Sequence, residues 1–102
     1  MRKKAKRRVC ICTGSRAEYG ILRPLMRRLA RDACFDLKIV ASGMHLSAEF
    51  GSTIRALSHD GFAPHAVVRM LPKDDTLPSM SESVGRGIIG FTKSFAELDP
   101  DI

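Results

Sequence analysis

No run of apolar residues in this sequence approaches the roughly 20 that a bilayer-spanning helix needs. There is no low-complexity tract. With 44% apolar and 27% charged residues, the composition is that of a soluble globular chain rather than a disordered or fibrous one. The basic start runs directly into an apolar segment of about five residues, too short for the core of a secretory signal, so a cytoplasmic protein is expected. Cysteine is scarce: Cys10, Cys12 and Cys34 are an odd number without a CxxC pair. On a strand, Cys10 and Cys12 point to the same face, an arrangement unsuited to a disulfide and without the partners of a zinc site. They read as small buried hydrophobes in a reducing compartment. Also missing are GxGxxG, the Walker GxxxxGK[ST] loop, any metal-ligand spacing and a Ser-His-Asp order. No metal and no cofactor are therefore expected.

What is present starts with charge. The net charge is +6, and six of the 17 Lys and Arg residues fall within the first eight positions, whereas all 11 carboxylates come later. The body is balanced. Residues 1–8 read as a basic, solvated arm, and residues 9–102 as the folded part, with no membrane and no nucleic acid expected as partner. A length of 102 residues suffices for one small domain and not for two.

Val9-Cys10-Ile11-Cys12-Thr13 is a short apolar run of the kind a buried parallel strand shows. A helix is predicted from about Ala17 to Arg31 on the spacing of Leu22, Leu25, Met26 and Leu29, with a bend or irregular first turn near Gly20 because of Pro24. Leu37 to Ala41 reads as a second strand. A second helix is expected from Ser47 as N-cap, with Phe50, Ile54 and Leu57 inward and Gly61 as a left-handed C′ residue. His65 to Met70 reads as a third strand, and Asp74-Asp75-Thr76 as a turn and helix cap. The last helix carries an apolar stripe, Met80, Val84, Ile88, Phe91, Phe95 and Leu98, beside a line of small residues, Ser83, Gly87, Gly90 and Ser94. Glycine costs about 0.5–1 kcal/mol relative to Ala in a helix interior, so that line predicts a close neighbour, either packed protein or a ligand. Alternating strands and helices predict an α/β layer with a parallel sheet and right-handed crossovers. Leu98 to Ile102 reads as a helix exit leading toward a fourth strand, the pattern of an incomplete domain.

Gly14-Ser15-Arg16-Ala17-Glu18-Tyr19-Gly20 follows the first strand and opens the first helix. That is the usual phosphate position of a doubly wound fold, where free N–H groups and the helix dipole face the crevice. Arg16 offers paired charge-assisted hydrogen bonds to a phosphate, or alternatively an ion pair with Glu18. Gly20 lets a ligand approach the helix. Ser42-Gly43-Met44-His45-Leu46 ends the second strand on the same side, and His45 is the candidate to donate to a sugar hydroxyl or move a proton. His59 and His65 are assigned no role.

Thr13 to Leu22, Ser42 to Leu46 with Glu49-Phe50-Gly51, Asp60-Gly61-Phe62, and Met80 to Phe91 together resemble the start of the hydrolysing UDP-N-acetylglucosamine 2-epimerases of sialic acid biosynthesis and their diacetamido-sugar relatives. The similarity runs from about Val9 to Ile102. It implies a Rossmann-like parallel sheet with flanking helices, forming the incomplete N-terminal domain of a GT-B-type enzyme of two such domains, with the UDP-sugar in the cleft between them. It implies elimination of UDP across C1 and C2 followed by hydration to N-acetylmannosamine. Carried over by position, Arg16, Ala17 and Gly20 would line the diphosphate pocket and His45 would lie near the sugar. The family's proton-moving acidic residues and its uridine-binding domain would follow Ile102, so residues 1–102 alone are expected to be inactive. The full-length form is expected to be a homo-oligomer. The alternatives are the diacetamido-sugar or the non-hydrolysing reaction. From another class, there is a small flavodoxin-like binding domain with a basic arm, against which stands the lack of an acidic cluster after the first strand.

Overall fold

The computed structural model describes residues 6–46 and 53–102. Met1 to Ala5 of the expected arm, and Ser47, Glu49, Phe50 and Gly51 of the expected second helix and family motif, lie outside the described residues. Three parallel strands, β1 (Arg7–Thr13), β2 (Phe35–Ser42) and β3 (Ala66–Val68), form a sheet in the order β1-β2-β3. They are joined by α1 (Arg16–Arg31), by a one-turn 3-10 helix (Gly43–Leu46) with α2 (Ile54–His59), and by the long α3 (Leu77–Leu98) that follows β3. The expected α/β parallel layer is what the chain forms.

β1 starts at Arg7, so the last two residues of the expected arm belong to the sheet. The Arg7 N–H donates to the Cys34 carbonyl at 2.9 Å, and the Arg8 guanidinium meets Asp99 at 3.0 Å. Pairing satisfies the backbone while both charged heads stay near water. β3 is shorter than the apolar run predicts. His65 still donates its N–H to the Ile39 carbonyl at 2.8 Å, but Arg69 and Met70 already lead away from the sheet.

Strand register sorts the two faces. Cys12 lies beside Val40 in register, and Ser42 beside Val68, so these residues share one face while Ile11, Ile39 and Ala41 point to the other. On that second face Ile11, Ile39 and Ala41 form the core with Tyr19 and Met26 of α1, Leu57 of α2 and Phe62. Gly61, at φ 86°, takes the left-handed position after α2 that its place in the sequence predicts.

α1 is continuous from Arg16 and contains Pro24, so the irregular first turn expected near Gly20 is not formed. Pro24 removes the hydrogen bond to the carbonyl four residues back, which is that of Gly20. A residue without Cβ, with nothing within 4 Å of where one would stand, adapts its carbonyl more readily than any other.

α3 packs on the opposite face from α1, through its small residues. A Cβ on Gly90 would stand 2.6 Å from Val68 Cγ1, and one on Gly87 2.7 Å from the Met70 methyl. The close neighbour predicted by the glycines is therefore protein. The Ser83 hydroxyl donates to the Met70 carbonyl, and that of Ser94 to the Gly90 carbonyl at 2.9 Å. The apolar stripe beside this line stands largely in solvent: Met80 is 50% exposed, Val84 58%, Ile88 64% and Phe95 41%. α3 delivers the chain to the free edge of β1. There Ile102 donates to the Arg8 carbonyl (3.2 Å) and accepts from the Cys10 N–H (2.8 Å), the pattern of a parallel ladder. The direction expected for a fourth strand is thus taken up beside β1.

Two glycines of α3 test this packing. Gly90→Ala is expected to destabilise the chain by about 1–3 kcal/mol through the clash with Val68. Gly85→Ala, where a Cβ meets nothing within 4 Å, is expected to stabilise it by about 0.5–1 kcal/mol. Urea denaturation of both variants reads the two signs.

Candidate functional site

The carboxyl ends of β1 and β2 lead into two loops that touch backbone to backbone. Gly43 adopts φ +58°, and a Cβ there would stand 3.0 Å from the Gly14 carbonyl oxygen. Only glycine combines that conformation with that approach. From this contact the chain climbs into α1. Ser15 is its N-cap: the hydroxyl accepts from the Glu18 N–H at 3.2 Å, while the Ser15 carbonyl accepts from the Tyr19 N–H at 3.0 Å. Arg16 and Ala17, the first two helical residues, have no carbonyl one turn earlier to receive their N–H groups. Such a terminus, with its first N–H donors and the positive end of the helix dipole, is an arrangement suited to an anion.

Arg16 is exposed, and among the described residues it forms no ion pair, so the alternative pairing with Glu18 is not made. Ala17 and Gly20 are exposed on the same first turns of α1. His45 stands apart from these three. It is 0% exposed. Its Nε2 lies 2.8 Å from the Thr13 hydroxyl and its Nδ1 2.5 Å from that of Thr53. Burial holds its pKa below the ordinary imidazole value, against the opposing pull of Glu18.

A second polar network, not anticipated from the sequence, ties α1 to the end of α2. The Tyr19 hydroxyl donates to one Asp60 oxygen at 2.5 Å, and Arg23 Nη2 to the other at 3.2 Å. Burial and the Asp60 carboxylate push the Tyr19 phenol up to about 12. The Tyr19 hydrogen bond and the guanidinium hold Asp60 below the ordinary carboxylate range. Tyr19 and Arg23 are one helical turn apart, which is the only trace of the network in the sequence. The Tyr19 ring also meets His45 edge-on, centroids 6.4 Å apart. Farther along the carboxyl edge, a cavity of about 340 Å³ is lined by Arg69, Met70, Leu71 and Arg86. The Arg86 guanidinium there is engaged with the Leu71 carbonyl at 2.6 Å and Glu82 at 3.1 Å.

Cys10 and Cys12 are free thiols 4.0 Å apart on the α3 face. Burial pushes both upward, Cys12 to about 12, so neither has thiolate character near neutral pH. Among the described residues no three His, Cys, Asp or Glu side chains converge as metal ligands, and no helix is long and apolar enough to cross a membrane.

His65, assigned no role from sequence, accepts the Ile39 N–H on Nδ1 at 3.1 Å. Burial first, then Lys38, holds its pKa below the ordinary value. Like His45 it is bound as the neutral ring, so protonation favours the unfolded chain. The contribution of both is complete above the unfolded pKa of about 6.5 and is lost as pH falls from there toward the folded values. Urea midpoints are expected to fall between pH 7 and pH 5, and His65→Ala to flatten that slope.

Comparison with known proteins adds a second line. The sequence model of a family described as UDP-N-acetylglucosamine 2-epimerase matches residues 27–102. The chain is 32% identical over 96 residues to a UDP-N,N'-diacetylbacillosamine 2-epimerase (hydrolyzing) of Legionella pneumophila, covering 94% of this chain and 26% of that protein. It is 33% identical over 98 residues to a GDP/UDP-N,N'-diacetylbacillosamine 2-epimerase (hydrolyzing) of Campylobacter jejuni, covering 96% and 25%. A shorter match, 32% over 57 residues, covers 56% of the chain and 15% of a UDP-N-acetylglucosamine 2-epimerase of Neisseria meningitidis. The chain spans about a quarter of the length of the first two relatives.

Proposed function

The chain belongs to the UDP-N-acetylglucosamine 2-epimerase family, and from that premise we propose that it forms the diphosphate-binding side of a hydrolysing UDP-sugar 2-epimerase. The observation that carries this reading is the start of α1: the backbone donors of Arg16 and Ala17 beside the Arg16 guanidinium, all without a partner among the described residues, at the carboxyl edge of a parallel sheet. A diphosphate accepts from all three groups at once, and the arginine supplies the charge that the short, neutral Ser15 and Ala17 side chains do not. Gly20 keeps the next turn of the helix low. The uridine would be held by a second Rossmann-like domain in a GT-B arrangement, and the full-length form would be a cytoplasmic homo-oligomer.

In the reaction, the C2 proton leaves to a base and the C1–O bond breaks with its electron pair departing on UDP. Water then adds across the resulting double bond, giving the free 2-epimeric sugar. Binding the departing diphosphate stabilises the charge that develops on it, which is the contribution expected of the α1 terminus. The substrate class is a UDP-2-acetamido sugar. The two relatives that cover nearly the whole chain favour a diacetamido sugar of the bacillosamine kind. UDP-N-acetylglucosamine with release of N-acetylmannosamine is the second reading, favoured by the family description and the Neisseria match.

In the full-length protein, Arg16→Ala is expected to weaken UDP binding about ten- to a hundredfold, the worth of one charge-assisted hydrogen bond or ion pair. Calorimetric titration with UDP reads it, and an unchanged affinity would place the diphosphate elsewhere. Residues 1–102 alone are expected to release no free sugar from either UDP-sugar. Assay of the full-length protein on both substrates, following UDP and the sugar product, decides between the two readings.

A further inference from the structure

Thr13, His45 and Thr53 form a directed chain of hydrogen bonds between elements that the backbone does not otherwise join. Thr13 ends β1 and is 1% exposed; Thr53 directly precedes α2. The Thr13 hydroxyl donates, at a long 3.4 Å, to the Ser15 carbonyl. We assign the tautomer that keeps this bond: the hydroxyl accepts from Nε2–H of His45, and Nδ1 accepts from the Thr53 hydroxyl. In this arrangement the Thr13 hydroxyl and the His45 ring each donate once and accept once, and the line runs from the start of α2 to Ser15, the N-cap of α1.

We propose that His45 is a positioning residue: through Thr13 it fixes Ser15, and so the α1 amides that face the ligand, relative to α2. Both ring nitrogens are engaged within the protein and the side chain is wholly buried, so the ring moves no proton to or from substrate. Glu18 of α1 is the charged group facing it, and the Tyr19 ring covers its edge. The position of the N–H donors matters because a misplacement of about 1 Å already costs much of the benefit of a positioned group. This assignment rests on the diphosphate lying at the α1 terminus.

The test uses the full-length protein and UDP as the probe. Thr53→Val and His45→Gln are each expected to weaken UDP binding about tenfold, although residue 53 touches no nucleotide, and the double variant is expected to be no worse than either single one. Thr53→Ser is expected to restore the affinity. In the wild-type protein, the ring nitrogen NMR signals are expected to report one neutral tautomer, with the proton on Nε2, from pH 6 to pH 8. Wild-type UDP affinity in His45→Gln together with lost turnover would overturn the proposal, as would a ring that titrates near its ordinary value. Should a valine variant not fold, the serine variant and the wild-type ring spectrum still decide. If the wild-type protein neither binds UDP nor turns over a UDP-sugar, the functional reading fails, while the ring spectrum still reports on the hydrogen-bond line.

Discussion

The backbone contact between Gly14 and Gly43 is the constraint on which the functional end of this chain depends. A side chain at residue 43 would meet the Gly14 carbonyl at 3.0 Å and would have to tolerate φ +58°. Because Gly43 carries none, the loops after β1 and β2 interlock rather than splay. Thr13, just before the contact, comes within 2.8 Å of His45, just after it. Ser15, just beyond, caps α1. The same few ångströms thus set the strand ends, the hydrogen-bond line and the direction in which the first N–H groups of α1 point.

The opposite face of the sheet follows a related logic with a different outcome. α3 reaches β3 through Gly87 and Gly90, whose missing side chains admit Met70 and Val68. Once this narrow line is buried, the adjoining apolar stripe is turned aside from the sheet. Helix periodicity locates both lines but does not say which one packs. Apolar residues normally face the core, yet here close approach to an edge strand selects the small ones. The line of glycines, costly in a helix interior, was the better guide, since only a close neighbour repays their use.

Much of the fold was legible in the residues. Most of the strand-like runs, the turn at Asp74 to Thr76 and the left-handed Gly61 depend on local chemistry, and the structure places them as that chemistry predicts, with β3 shorter than its run. The continuity of α1 through Pro24 was not legible, because the relief sits four residues earlier at Gly20. Within the candidate site, the place of Arg16 between a strand and a helix marked it as a candidate, and Ala17 came only from the family resemblance. The surroundings of His45 were not legible. Its partners lie 32 positions before it and 8 after it, and nothing in the spacing of Thr13 or Thr53 marks them as imidazole ligands. The Tyr19–Asp60–Arg23 network and the bond from the Ile39 N–H within β2 to His65 are distant pairings of the same kind, fixed by the fold rather than by sequence proximity.

The interlocked loops, the capped helix and the family relationship together support the proposal that the first turn of α1 holds an anion. A crystal structure of the full-length protein with UDP tests that most directly. The diphosphate is expected within hydrogen-bond distance of the Arg16 and Ala17 N–H groups and of the Arg16 guanidinium, with His45 still between Thr13 and Thr53. A diphosphate bound away from the α1 terminus, or an Arg16 side chain turned back onto Glu18 with UDP in place, would contradict it.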